Sequence, residues 1–102
     1  MTLNELMIAV KEKNLDKDQL EAYRGDMSNV YAQMQMEMAD LEKEEALFME
    51  NIPETWSEWS VAKIKIAWKA TPQGQRLIVL KRYCLATKEL LNSLKSRLYS
   101  IY

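Results

Sequence analysis

The 102-residue sequence contains no histidine, one cysteine, two glycines and two prolines. The lack of histidine removes the most common general base and the most common metal ligand. A single cysteine cannot form an internal disulfide or a zinc site built from several thiolates. Average usage would put about seven glycines and five prolines in such a chain, so a small β-sandwich or barrel is disfavoured. We therefore predict a non-enzymatic, mostly helical protein with no catalytic residues, no metal site and no cofactor.

Long apolar stretches are also missing. No run of apolar residues approaches the roughly 20 that a helix needs to span a bilayer. The N-terminal segment carries an acid, Glu5, where a signal peptide carries basic residues. These features predict a cytoplasmic protein that acts neither in nor on a membrane.

The net charge of −1 conceals an asymmetry between the two halves of the chain. Residues 1–51 hold five basic and twelve acidic side chains, whereas residues 52–102 hold nine basic and three acidic ones. Two interpretations are open. Either the halves neutralise each other, within one chain or between two copies, or the basic half meets nucleic acid or an acidic partner.

Capping residues predict two helices in the acidic half. Thr2, with Glu5 three residues later, predicts the start of a short helix over residues 3–13. Asp16 predicts the N-cap of a long helix over residues 17–49. The apolar positions of that helix stay in phase across Gly25, so we expect it to be continuous there. They follow a 3-4 spacing typical of a coiled-coil seam, at Leu20, Tyr23, Met27, Val30 and Met34.

Threonines and prolines organise the basic half. Thr55, with an acid three residues later, predicts the start of a third helix. Pro72 predicts either a kink in that helix or a fresh helix start capped by Thr71. The predicted organisation is a single helical domain with three parts: residues 1–15, 16–51 and 55–102.

From Leu77 to Ile101 a 3-4 spacing runs without a break through apolar residues and Thr87, which predicts a coiled-coil seam. The fold class predicted is all-α, a long antiparallel helical hairpin with coiled-coil character plus a short N-terminal helix. Two seams of this length offer more apolar surface than one hairpin covers, so we expect self-association, as a dimer. The residues predicted to form this oligomer or partner seam are Leu77, Leu80, Cys84, Leu91, Leu94, Leu98 and Ile101.

Nine basic residues and one acidic residue lie between Lys63 and Arg97. Such a concentration is typical of a polyanion-binding segment. Lys81, Lys88 and Lys95 repeat every seven residues and so stay on one side of the seam. The candidates for phosphate contact are Lys63, Lys65, Lys69, Arg76, Lys81, Arg82, Lys88, Lys95 and Arg97.

Three tryptophans lie close to these basic residues in the sequence, at Trp56, Trp59 and Trp68. Aromatic rings interleaved with lysine and arginine can stack on bases. Rings of this size also pin helices together by burying apolar area. We favour the second interpretation.

The segment IAWKATPQGQ, residues 66–75, followed by a basic leucine-heptad helix, resembles small helical proteins encoded in bacteriophage early or replication regions. The resemblance covers the C-terminal part of the chain and rests on the pattern W-x-A-T-x-x-G; Pro72 departs from it. It implies a phage or prophage accessory protein that acts in the host cytoplasm near DNA or a host machine. It supplies no active-site residue.

We therefore expect a non-enzymatic, phage-type accessory protein that self-associates and binds another protein. The alternative is sequence-tolerant binding of DNA or RNA through the basic C-terminal helix. No small-molecule substrate is expected in either case.

Overall fold

A computed structural model describes residues 2–12 and 14–101, with the side chain of Ile101 excepted. It contains helices α1 (Leu3–Ala9), α2 (Lys17–Glu50), α3 (Val61–Lys69) and α4 (Pro72–Ile101), and a 3₁₀ turn at Glu54–Trp56. No strand occurs in the described residues. The long helices α2 and α4 pack against each other as a hairpin, so the all-α prediction is confirmed.

The N-cap of α1 forms as the sequence predicts, because the Thr2 hydroxyl oxygen accepts a hydrogen bond from the Glu5 amide at 3.2 Å. The helix is shorter than predicted, however. It ends at Ala9, and the amides of Lys11 and Glu12 bond three residues back, to Ile8 and Ala9. The predicted end at Lys13 lies outside the described residues.

Helix α2 runs for 34 residues and passes through Gly25 without interruption, as predicted. Its start is fixed by a reciprocal pair of hydrogen bonds. The Gln19 amide donates to the Asp16 carboxylate at 2.8 Å, and the Asp16 amide donates to the Gln19 side-chain oxygen at 3.1 Å. This capping box satisfies two backbone amides that lie outside the helical ladder.

The start of α3 differs from the prediction. Thr55 lies inside the 3₁₀ turn, and Ser60 is the residue that caps α3, since its hydroxyl oxygen accepts from the Lys63 amide at 3.2 Å. Both threonine and serine can cap a helix, and four residues lie between Thr55 and Ser60 here. α3 then ends at Lys69 and α4 begins at Pro72. Two separate helices therefore meet at the proline, instead of one kinked helix.

Contacts divide the chain into two compact units that share the long helices. Unit 1 comprises residues 1–35 and 83–102, and unit 2 comprises residues 36–82. The core of unit 1 joins α1, the first half of α2 and the second half of α4. Its buried members are Leu6, Val10, Leu15, Leu20, Met27, Leu94 and Leu98.

Unit 2 holds the end of α2, the 3₁₀ turn, α3 and the beginning of α4. Its buried apolar side chains are Leu41, Ile64, Trp68, Leu77 and Leu80. The Phe48 ring contacts both Trp56 and Trp68, with centroid separations of 5.9 and 5.5 Å. These aromatic contacts join α2 to the 3₁₀ turn and to α3, which supports the packing interpretation of the tryptophans.

Candidate functional site

The junction between α3 and α4 is held by a compact set of hydrogen bonds. The Thr71 hydroxyl donates to the Trp68 carbonyl oxygen at 2.6 Å and accepts from the Gly74 amide at 3.0 Å. The Gln75 side-chain amide donates to the Lys69 carbonyl oxygen. Thr71 therefore acts as the N-cap of α4 with Pro72 in its first position, one of the two predicted arrangements.

Gly74 is required by this junction. A Cβ at Gly74 would lie 2.0 Å from the Trp68 carbonyl oxygen and 2.8 Å from the Lys69 Cα. Because real Cβ atoms do not approach backbone so closely, only glycine lets the first turn of α4 pack against the end of α3. This close approach sets the position of the α3 lysines relative to those of α4.

A cavity of about 230 Å³ opens beside the junction, within unit 2. Lys65 and Lys69, one helical turn apart on α3, line it together with Lys81 of α4. Glu45 of α2 supplies one negative charge, and the buried Trp68 ring forms part of the wall. We refer to this site as the lysine cavity.

The other basic candidates of unit 2 lie around these helices. Lys63 and Arg82 are exposed, as are the three lysines of the cavity. Residues 59–88 contain no acidic side chain, so the cations of α3 and early α4 meet opposing charge only from other segments. We call the exposed set the basic surface, and its members are Lys63, Lys65, Lys69, Lys81 and Arg82.

Arg76, the sixth basic candidate in unit 2, forms an ion pair across the hairpin. Its Nε and Nη2 atoms donate to the two carboxylate oxygens of Glu37 at 2.9 and 3.0 Å. This hydrogen bond with Arg76 lowers the pKa of Glu37 from its ordinary value of 4.5, against a smaller opposing effect of burial. The pair joins the acidic helix α2 to the basic helix α4.

The three remaining basic candidates belong to unit 1. Lys88 and Lys95 are exposed on α4. Arg97 differs, because its guanidinium donates to the carbonyl oxygens of Val10 and Glu12, both at 2.7 Å. These hydrogen bonds join the segment after α1 to α4, a role that the prediction of Arg97 as a phosphate contact did not indicate.

The aromatic group of unit 2 is engaged within the protein. The Trp56 and Trp59 rings stack with centroids 4.3 Å apart, and the Lys63 ammonium lies 4.0 Å from the centre of the Trp59 ring. The Trp56 ring and the Lys63 ammonium both contact the Trp59 ring, so a base that stacked on Trp59 would compete with these contacts.

The predicted C-terminal seam is buried in a single chain. Leu77, Leu80, Cys84, Leu94 and Leu98 are each at most 6% exposed without any second copy. Leu91 is half-buried and packs against the core of unit 1, and the Ile101 side chain lies outside the described residues. The burial of this seam therefore needs no partner, and the excess apolar surface used to infer a dimer is not found at these residues. Self-association itself stays a prediction.

The chain matches no protein-family model, no curated protein and no solved structure. The resemblance to phage proteins stays a prediction. Within the part of the chain that the structure describes, no three acidic or cysteine side chains cluster in a way that could hold a metal ion. None of the described helices has the length and apolar character needed to cross a membrane.

The sequence indicated the individual lysines but not the lysine cavity. Lys65 and Lys69 are at i and i+4, a spacing that places both on one side of a helix. The role of Gly74 was not recognised from the sequence. Its lack of a side chain allows α4 to approach α3 and brings Lys81 to the same opening. A glycine three residues after a capping threonine is the local signal for such an approach.

Proposed function

We propose that this chain is a non-enzymatic helical module that binds nucleic acid, with tolerance of base sequence, through the basic surface of unit 2. The observation that carries the proposal is the concentration of five exposed cations on α3 and early α4, in a segment without acids. Exposed lysines attract phosphates as point charges and release the counterions that surround a nucleic acid.

The hydrogen-bonding side chains near this surface support contacts to phosphate rather than to base edges. Specific contacts to base edges are commonly bidentate, from arginine or lysine to guanine and from asparagine or glutamine to adenine. Arg76 forms its forked contact with Glu37, and the amide of Gln75 bonds to the Lys69 carbonyl oxygen. Lysine predominates among the exposed cations, and phosphate contacts position a protein without specifying sequence.

The acidic residues of unit 2 limit which side can face a polyanion. They lie on α2 and in the segment before α3, for example Glu42, Glu44 and Glu54. Like charges repel a phosphate backbone, so a bound strand is expected to follow α3 and α4. This arrangement supports weak, salt-sensitive binding.

Fluorescence anisotropy with labelled single- and double-stranded DNA of mixed sequence at about 50 mM salt tests the proposal. We expect binding by the wild type, with the logarithm of the binding constant falling linearly with the logarithm of salt concentration. Because the basic surface has five cations, the slope should be no steeper than about −4.5 for double-stranded DNA and about −3.5 for single-stranded DNA. Scrambling the base sequence should leave the affinity unchanged.

A pair of matched triple variants locates the surface. Replacing Lys63, Lys81 and Arg82 by Glu should abolish binding. Replacing Lys11, Lys88 and Lys95 of unit 1 by Glu makes the same change in net charge and should leave most of the binding in place. Circular dichroism checks that both variants stay helical. An equal loss in both variants would show that net charge alone is responsible, and no binding by the wild type at low salt would refute the proposal.

A further inference from the structure

The lysine cavity brings more positive charge to one point than a single phosphate contact needs. Lys65, Lys69 and Lys81 carry three positive charges around its opening, and Glu45 offsets one of them. A phosphodiester inside a strand carries one negative charge, whereas a phosphate monoester carries about −1.5 to −2 at neutral pH. The net charge of the lining therefore matches a terminal phosphate better than an internal one.

The size of the cavity also favours a terminal phosphate as its ligand. Pockets for drug-sized molecules start at about 300 Å³, and a water molecule takes up about 30 Å³. A volume of about 230 Å³ equals that of several water molecules and is small for a whole nucleotide together with its hydration. It suits one protruding charged group with the remainder of the ligand outside.

The wall of the cavity strengthens its attraction for an anion. Trp68 is 5% exposed and Leu77 is 3% exposed, so the part of the wall that they form is backed by the apolar core of unit 2. Charges beside a low-dielectric wall interact more strongly than charges in open solvent. The Gly74 amide, which donates to Thr71, is already used, and the lysine ammonium groups supply charged donors to a ligand.

We propose that the lysine cavity binds the terminal phosphate of a nucleic acid strand. This inference rests on the proposed function, because the strand attached to that phosphate lies on the basic surface. The ammonium groups of Lys65, Lys69 and Lys81 hold the phosphate oxygens. The site thereby selects strand ends while the remaining contacts stay indifferent to sequence.

The test compares two short single-stranded oligonucleotides of identical sequence, one with a 5′-phosphate and one with a 5′-hydroxyl, by anisotropy with the full-length protein. We expect the phosphorylated strand to bind about tenfold more tightly, as two or three charge-assisted hydrogen bonds allow. A strand with a 3′-phosphate shows whether either end is accepted. Equal affinity of all three strands would overturn the cavity proposal and leave the proposed function intact, and binding of none would overturn both.

Three variants assign the preference to the cavity. Lys69→Gln should reduce the ratio of the two affinities to near one. Arg82→Gln, which removes an equal charge outside the cavity, should weaken both strands alike and keep the ratio. Glu45→Gln removes the opposing charge and should raise the ratio severalfold. Because this last effect is a gain, damage to the fold cannot produce it, and an unchanged ratio in all three variants would refute the assignment.

A free phosphate compound is the other source of the same chemistry. Pyrophosphate and a nucleoside 5′-monophosphate are titrated as competitors of the phosphorylated strand. We expect each to compete only at concentrations far above the dissociation constant of the strand, since neither reaches the rest of the basic surface. Competition at equal concentration would mean that the cavity serves a small phosphate ligand, and the strand-end proposal would fail.

Discussion

Gly74 and Trp68 approach each other so closely that a single added carbon at Gly74 would lie 2.0 Å from the Trp68 carbonyl oxygen. The same carbonyl oxygen accepts the hydrogen bond of the Thr71 hydroxyl, so it cannot move without loss of that bond. The junction thus depends on Gly74 for the close approach of α4 to α3, and on Thr71 for its hydrogen bonds. It is also the part of unit 2 that carries the lysine cavity.

Gly74→Ala is expected to destabilise the protein by about 2 kcal/mol, within the range for overpacking against backbone. The methyl group must push the first turn of α4 away from α3. Urea denaturation followed by circular dichroism measures the change. The same variant should lose the preference for a terminal phosphate, because Lys81 moves relative to Lys65 and Lys69.

Gly25→Ala is the matched control for Gly74→Ala and should have the opposite effect on stability. Gly25 is exposed in the middle of α2, and nothing lies within 4 Å of the position that its Cβ would take. Alanine is a better helix former than glycine, so this change should stabilise the protein by about 0.5–1 kcal/mol in the same assay. Destabilisation by Gly25→Ala would mean that α2 is not continuous at this position.

Thr87→Val is expected to stabilise the protein by about 1 kcal/mol. Thr87 is fully buried, and its hydroxyl oxygen has no hydrogen-bond partner among the described residues. Valine has nearly the same shape and avoids the cost of burying an unsatisfied hydroxyl. Thermal unfolding of Thr87→Val measures this gain, and a loss of stability would indicate that the hydroxyl is satisfied in solution.

Thr71→Val provides the contrast to Thr87→Val. The Thr71 hydroxyl donates one hydrogen bond and accepts another, so its removal should cost about 1–2 kcal/mol. The two substitutions are chemically identical and differ only in what the hydroxyl contacts. Equal effects would mean that the cap does not stabilise α4.

Much of the fold was predictable because its signals are local. Apolar spacing identified buried positions of α2 and α4, such as Met27 and Leu94. The Thr2 hydroxyl marked the start of α1, and a start capped by Thr71 was one of two arrangements predicted at Pro72. Local signals failed where two candidates competed. Thr55 and Ser60 both have capping chemistry, and the hydrogen bond from the Lys63 amide to the Ser60 hydroxyl shows that Ser60 begins α3.

The candidate site was less predictable, because its properties depend on residues far apart in the sequence. Charge counting treated all nine cations alike. In the structure Arg76 is paired with Glu37, 39 residues away, and Arg97 is bonded to the backbone of Val10, 87 residues away. Neither partner follows from heptad position. Five of the seven predicted seam residues are buried, but the spacing could not say whether a second copy was needed to bury them.

Arg97→Met is expected to release the segment after α1 from α4 while leaving nucleic-acid binding largely unchanged. The substitution removes two charge-assisted hydrogen bonds, so the carbonyl oxygens of Val10 and Glu12 lose the Arg97 guanidinium as their donor. Hydrogen exchange should increase in residues 3–12 and remain unchanged in unit 2. A loss of binding equal to that of the Lys63, Lys81 and Arg82 triple variant would instead assign Arg97 to the phosphate-binding surface.

The ion pair between Glu37 and Arg76 should make stability depend on pH in a defined direction. Arg76 lowers the pKa of Glu37 in the folded state below its ordinary value of 4.5. The pair therefore stabilises the folded state fully above that value, and its contribution is lost as pH falls through the lowered pKa.

The side chains of Glu37 and Arg76 are both about half exposed, so we expect the pair to contribute less than about 1 kcal/mol to stability. Urea titrations of the wild type and Glu37→Gln should differ at about pH 7 and converge in acid, as the pH falls through the lowered pKa of Glu37. Arg76→Lys keeps the charge but loses the fork, and should retain only part of the difference. A gap between wild type and Glu37→Gln that stays constant over this range would show that Glu37 stabilises the hairpin by packing and not by its charge.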